Sequence, residues 1–222
     1  MLPPVNFDSV PLDGMLSDWL CSLQEYAVEA LVVLGPDPDG ERSDRLVAAV
    51  HPPRFVDAAK ALAESRDFGA PWRDSDAPLV AWQHIAKSAL DNANRWRRLW
   101  LGHGFQSVVR VEFALPTGRA FECFMFSPRT LHDRAEAAAL AWSALNIWPL
   151  LKRTIAQARS PLTARECECL KLAFEGKTAA ETALVLGCGE RSVTYYMANA
   201  MRKLGVDSKV AAIQRACWLG AI

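Results

Sequence analysis

The sequence predicts an α+β protein in two parts, a sheet with packed helices followed by a purely helical helix-turn-helix domain. Three observations carry that expectation. Residues 107–115 (SVVRVEFAL) alternate in character, turn at Pro116-Thr117-Gly118 and return as RAFECFMFS, the pattern of an antiparallel hairpin. Beyond Pro161 the apolar residues recur only at helical spacing. Within that stretch Thr163-Ala-Arg-Glu166 and Thr178-Ala-Ala-Glu181 each open an apolar segment as a capping box, in which hydroxyl and carboxylate satisfy two N–H donors of a helix start.

Composition narrows the class. The 222 residues are 51% hydrophobic and 23% charged, enough apolar material for a core. Lys+Arg and Asp+Glu stand at 25 each, which excludes a polybasic protein but not a local basic face. The first twenty residues lack a basic n-region and no uncharged apolar run reaches about 18 residues, so neither a secretory signal nor a membrane span is expected. The expected compartment is the cytoplasm. The six cysteines form no CxxC pair, and Cys167 and Cys169, two apart on a helix, point to different faces; they read as thiols rather than a metal clip. No metal or cofactor is expected.

Along the amino-terminal part, 28–34 (VEALVVL) and 45–50 (RLVAAV) read as short buried strands, with turn signals at 35–40 (GPDPDG) and His51-Pro52-Pro53. In the hairpin, Val109, Val111, Phe113 and Leu115 fall on one side and Arg110 and Glu112 on the other, which predicts a single buried face. A helix is expected from about 131 to 145 with Ala135, Ala138, Trp142 and Leu145 as its apolar stripe, and Pro149 should kink or interrupt it. The polar segment 157–161 (QARSP) ends in proline and marks the boundary between domains 1–157 and 158–222.

In the second domain Gly176 and Gly187 stop the first two helices, a third runs over 190–204, and a fourth over 208–219. The third, ERSVTYYMANAMRKL, turns Val193, Met197, Ala200 or Met201, and Leu204 to the core. Its opposite face carries Arg191, Thr194, Tyr195, Ala198, Asn199, Arg202 and Lys203, cations and hydrogen-bonding tips suited to phosphates and base edges in a major groove. Residues 161–222 hold eight of the 25 basic and six of the 25 acidic residues, leaving 17 against 19 elsewhere, so this domain is the more cationic.

These residues resemble the DNA-binding domain of the LuxR-type transcription regulators. The resemblance rests on Leu162-Thr163-x-Arg165-Glu166-x-Glu168-x-Leu170, Gly176-Lys177-Thr178-x-x-Glu181, Ser192-Val193 and Asn199-Ala-Met-x-Lys203-Leu204. It implies base reading by Thr194, Tyr195 and Ala198 and phosphate contacts from Lys177, Thr178, Arg191, Asn199 and Lys203, with Ser192 and Arg202 on the same face. It also implies a dimer contact on the fourth helix through Val210, Ile213 and Cys217. Two positions depart from the pattern. Gly189 replaces the usual hydroxyl N-cap of the third helix, at a few tenths of a kcal/mol, and Tyr196 replaces a common histidine.

The amino-terminal part is similar, by order and spacing alone, to the autoinducer-binding α/β/α sandwich of the quorum-sensing branch. Phe55 stands where that branch has a tryptophan, Ala59 where it has a tyrosine, Asp67-Phe68 near its Asp-Pro, and Val108 in place of a glycine. Without those anchors an acyl-homoserine lactone would bury unpaired polar groups at about 1–3 kcal/mol each. The chain therefore resembles an orphan (solo) member. A pocket walled by Phe55, Trp72, Trp82 and Phe105 for a small hydrophobic signal molecule, or a core that has closed, are the two expectations for this domain.

Other functions find less support. The four histidines have no metal spacing, and no G-x-S-x-G or P-loop occurs, so no enzyme is expected. The strands do not end in the acids of a phosphorylated receiver. A protein that only sequesters another regulator by heterodimerising with it has no use for Arg191, Asn199 and Lys203. The expected function is a homodimeric regulator that binds a palindromic duplex site, with the amino-terminal domain supplying most of the dimer interface.

Overall fold

The structure, a computed structural model, describes residues 12–36, 45–65, 80–86, 94–115, 119–159, 161–219 and 221–222. The chain forms two compact units, one of 1–114 with 120–154 and the other of 115–119 with 155–222.

The first unit is built on a five-stranded antiparallel sheet in the order β2-β1-β5-β4-β3, from β1 (Ala30–Pro36), β2 (Arg45–His51), β3 (Val80–His84), β4 (Ser107–Ala114) and β5 (Ala120–Ser127). The first strand begins two residues later than its apolar run, after a left-handed turn at Ala27. β4 and β5 pair as the hairpin pattern requires, with Val108 opposite Phe126 and Phe113 opposite Phe121. Their turn residues 116–118 lie outside the described residues. β3 has no signal in the sequence reading; of its residues, VAWQH, the first four are only half-buried and His84 is exposed, and it closes the sheet as an edge strand against β4.

Helices cover both faces. Helices α2 (Val56–Glu64) and α3 (Arg95–Gly102) lie on one, where Val32, Leu34, Val108, Phe124 and Phe126 meet Phe55, Ala59, Leu62, Trp96 and Trp100. On the other face Phe113 stacks on Trp148 of the long helix α4 (Arg134–Arg159), at 4.0 Å between ring centroids. Helix α1 (Leu12–Ser22) joins α4 through the Trp19 indole, which donates to Ser143 Oγ at 2.9 Å. This is the α/β/α sandwich implied by the resemblance.

Three expectations are corrected. The hairpin has two buried faces, not one: Arg110 is buried, with its guanidinium 2.6 Å from Glu122, which also binds Arg45 at 2.9 Å. Helices on both sides force the nominally polar side of the hairpin inward, and its charges persist there by pairing with one another. Second, α4 begins at Arg134 and runs 26 residues through Pro149 and the supposed linker as far as Arg159. Pro149 and Leu145 are both exposed, and the helix runs on although the proline cannot donate to the Leu145 carbonyl. Third, the stripe Ala135, Ala138, Trp142 and Leu145 faces outward, with Trp142 66% exposed, while Ala137, Leu140, Ala141, Ala144 and Leu151 are buried. Both sets have helical spacing, and the covered one is the set without the tryptophan.

The second unit holds α5 (Ala164–Phe174), α6 (Ala179–Leu186), α7 (Glu190–Leu204) and α8 (Lys209–Trp218). Both capping boxes form: Thr163 Oγ1 accepts from Glu166 N at 3.3 Å and Thr178 Oγ1 from Glu181 N at 3.2 Å, with each carboxylate returning to its threonine N–H. Gly187 caps α6 and Gly205 caps α7 in the left-handed conformation, at φ 62° and 65°. Leu170, Ala200, Leu204, Ala212 and Ala216 form the main core, and Cys169, Ala183 and Val193 a second one.

Candidate nucleic-acid interface

The helix-turn-helix is α6, a turn at 187–189, and α7. Gly189 stands at the N-cap of α7 with no side-chain bond, and its carbonyl accepts from Ser192 N at 2.9 Å, which leaves the N–H groups of Glu190 and Arg191 to meet an anion. Val193, Ala200 and Leu204 are buried and Met197 and Met201 half-buried, as the stripe requires. Arg191, Thr194, Tyr195, Ala198 and Arg202 then follow one another at spacings of three, one, three and four along the exposed side. Tyr195 is 64% exposed. Arg191, Ser192, Tyr195 and Tyr196 line a shallow cleft at the start of the helix. The Thr194 hydroxyl donates to Glu190 O at 3.0 Å, which fixes its rotamer and leaves its lone pairs outward. Lys177 and Thr178 are exposed at the turn between α5 and α6, although the Thr178 hydroxyl is already engaged by Glu181. Asn199 is half-buried and accepts from Arg202 at 3.3 Å.

Lys203 does not join this stripe. Its Nζ lies 2.8 Å from Glu166 Oε2, and the carboxylate is 4% exposed. The two residues tie the last turn of α7 to the capping box of α5, so the ammonium expected at a phosphate is paired with a carboxylate of its own domain. Burial raises Glu166, but hydrogen bonds from Lys203 and Thr163 outweigh it and hold the carboxyl below its ordinary range. Lys209, at the first turn of α8 and exposed, was not found from the sequence; it and Lys177 border a common cleft along α7. Only the packing of α8 beside α7 brings it there. On α8 itself Val210 is 75% exposed, and Ile213 and Cys217 are half-buried. On α5 burial raises the thiols of Cys167 and Cys169.

Of the residues expected to wall a sensor pocket, Phe55 and Phe105 come together on the α2–α3 face of the sheet, 5.2 Å apart, with Trp100 at 5.5 and 5.2 Å from them. Trp100 also stacks on Phe126 at 3.5 Å, and its buried N–H finds no acceptor among the described residues. Trp82 stands directly opposite Val109 and therefore on the other face of the sheet, since Val108, not Val109, packs with Phe55. The four residues thus do not wall one pocket. Trp72 and Asp67-Phe68 lie outside the described residues. Ala59 is fully buried in the same aromatic cluster.

Residues 160–216 match the family model "Bacterial regulatory proteins, luxR family". The transcriptional activator protein AnoR of Acinetobacter nosocomialis is 46% identical over 61 residues, 28% of this chain and 26% of AnoR. LuxR of Aliivibrio fischeri is 41% identical over 66 residues, 30% of this chain and 26% of LuxR. The chain thus spans about a quarter of the length of these relatives in each match. The crystal structure of Escherichia coli SdiA covers 98% of this chain and 95% of its own, with a TM-score of 0.50 at 17% identity, and shares the fold. SdiA in complex with octanoyl-rac-glycerol covers 96% of this chain and 91% of its own, also at 0.50, with 18% identity. No described helix is long and apolar enough to cross a membrane. The carboxy-terminal domain of this chain, over residues 160–216, is thus similar to the LuxR family of bacterial regulatory proteins.

Proposed function

We propose that the chain is a dimeric transcription regulator that reads a palindromic duplex site through α7, with an amino-terminal domain whose ligand differs from an acyl-homoserine lactone or is absent. The observation that carries this reading is the exposed stripe Arg191–Thr194–Tyr195–Ala198–Arg202, set on a helix whose other side is buried. Thr194, Tyr195 and Ala198 are assigned to base edges. Lys177, Thr178, Arg191, Ser192, Asn199, Arg202 and Lys209 are assigned to phosphates and to orienting the helix. Lys203 leaves that set and becomes a positioning residue. Phe55, Trp100 and Phe105, all nearly inaccessible, support a sensor core filled by its own aromatics. The outward stripe of α4 around Trp142 supports dimerisation through the amino-terminal domain, since a second copy would bring the same apolar face. Domain boundaries at 157 and 158 are retained for function, although the helix is continuous there.

The test is selection from random duplex DNA by the full chain without added ligand. Enrichment of an inverted repeat supports the reading. No enrichment from folded, dimeric protein, with and without hydrophobic candidate ligands, overturns it in favour of a partner that sequesters another regulator of this type.

A further inference from the structure

The geometry points to a ligand site in the helical domain itself: a cleft beside α7 that takes a small amphiphilic anion, a carboxylate on a short alkyl chain. The cleft lies among α5, α6 and α7 and has a volume of about 270 Å³. At roughly 30 Å³ for each water- or methylene-sized group, that is room for about nine. Its floor is apolar, with Val193, Met197 and Met201, and methionine adapts its shape to a guest more easily than branched residues do. Two exposed cations stand at its rim, Lys177 from the turn before α6 and Lys209 from the first turn of α8. None of its described lining residues is acidic. An apolar floor under two lysines selects a guest with the opposite arrangement, a hydrocarbon body and one negative end.

Occupancy has a consequence for DNA. Thr194 and Ala198 of the base-reading set also line the cleft, and Lys177 is one of the phosphate cations. A bound amphiphile neutralises that lysine and covers those two side chains, so it competes with the duplex. This part rests on the DNA-binding reading above; the site does not.

The experiment uses the full chain labelled with ¹³C at its methionine methyl groups, titrated with sodium heptanoate. Met197 and Met201 report on the cleft, and Met15 and Met125, buried in the other unit, serve as controls. Saturable shifts of Met197 and Met201 alone are expected, with a dissociation constant in the millimolar range for so small a guest. Lys177→Ala combined with Lys209→Ala, both exposed positions, should weaken binding about three- to tenfold. Heptanol should bind the parent no better than heptanoate binds that variant. Unshifted Met197 and Met201, shifts confined to Met15 or Met125, or heptanol binding equal to heptanoate overturns the site. If the two methyls shift but no duplex is ever bound, the site stands and the DNA reading falls. If duplex binds and the methyls do not shift, the site falls alone.

Discussion

Replacing Lys203 with methionine separates a positioning role from a phosphate contact. The substitution keeps an unbranched apolar stem and removes the ammonium 2.8 Å from Glu166. A fully buried pair that loses one partner costs about 3–5 kcal/mol. Lys203 keeps 27% of its side chain exposed and Glu166 keeps the Thr163 N–H at 2.7 Å, so about 2–3 kcal/mol is expected at neutral pH. The sign of the pH dependence follows from the carboxyl. In the parent, burial pushes Glu166 up, but Lys203 and Thr163 overcome it and the folded value lies below the unfolded one. A carboxylate lowered in this way adds stability above its unfolded value, and that stability is lost as pH falls through the folded value. Without Lys203, burial prevails and the folded value rises, so the variant is weakest at neutral pH and recovers relative to the parent on acidification. Urea unfolding followed at the Met197 and Met201 methyl signals, at about pH 7 and about pH 4.5, reads this in the correct domain. Equal stability of parent and variant at neutral pH, or a difference that does not narrow in acid, refutes the positioning role. A phosphate contact would instead leave stability intact and reduce the salt slope of DNA binding by about one.

Three further outcomes are expected. Lys177→Ala, at an exposed turn position, should lower the slope of log affinity against log salt by about one, across all duplex sequences, with no loss of stability. Phe55→Ala should destabilise the amino-terminal unit by about 3–5 kcal/mol, because Phe55 is packed among Trp100 and Phe105 with no room to relax; a loss under about 1 kcal/mol would mean that an open pocket already adjoins it. Trp142→Glu should leave the fold intact, since the side chain is 66% exposed, and convert the proposed dimer to monomer in sedimentation at micromolar concentration; an unchanged dimer removes the outward stripe of α4 from the interface.

The helical domain was legible almost residue by residue in the sequence. Side-chain caps start α5, α6 and α8, left-handed glycines stop α6 and α7, all local signals, and the spacing in α7 sets one face inside and the other outside. The hairpin was legible for the same reason: alternation about a turn is a property of neighbours in the chain. What the tertiary structure decided is which of two plausible faces is covered. Ala135, Ala138, Trp142 and Leu145 have the period of a buried stripe, yet the alanine-rich neighbouring stripe is the one that is covered and Trp142 stays outside. Arg110 reads as a solvent residue until helices on both faces of the sheet enclose it with Glu122. Trp82 belongs with Phe55 and Phe105 by composition, but strand register puts it on the opposite face. Lys203 has the type and spacing of a phosphate contact, and only the docking of α5 brings Glu166, 37 residues earlier, to its ammonium. Local periodicity fixes that a face is apolar or charged; what meets that face is set by segments distant in sequence, and burial and pairing follow from that meeting.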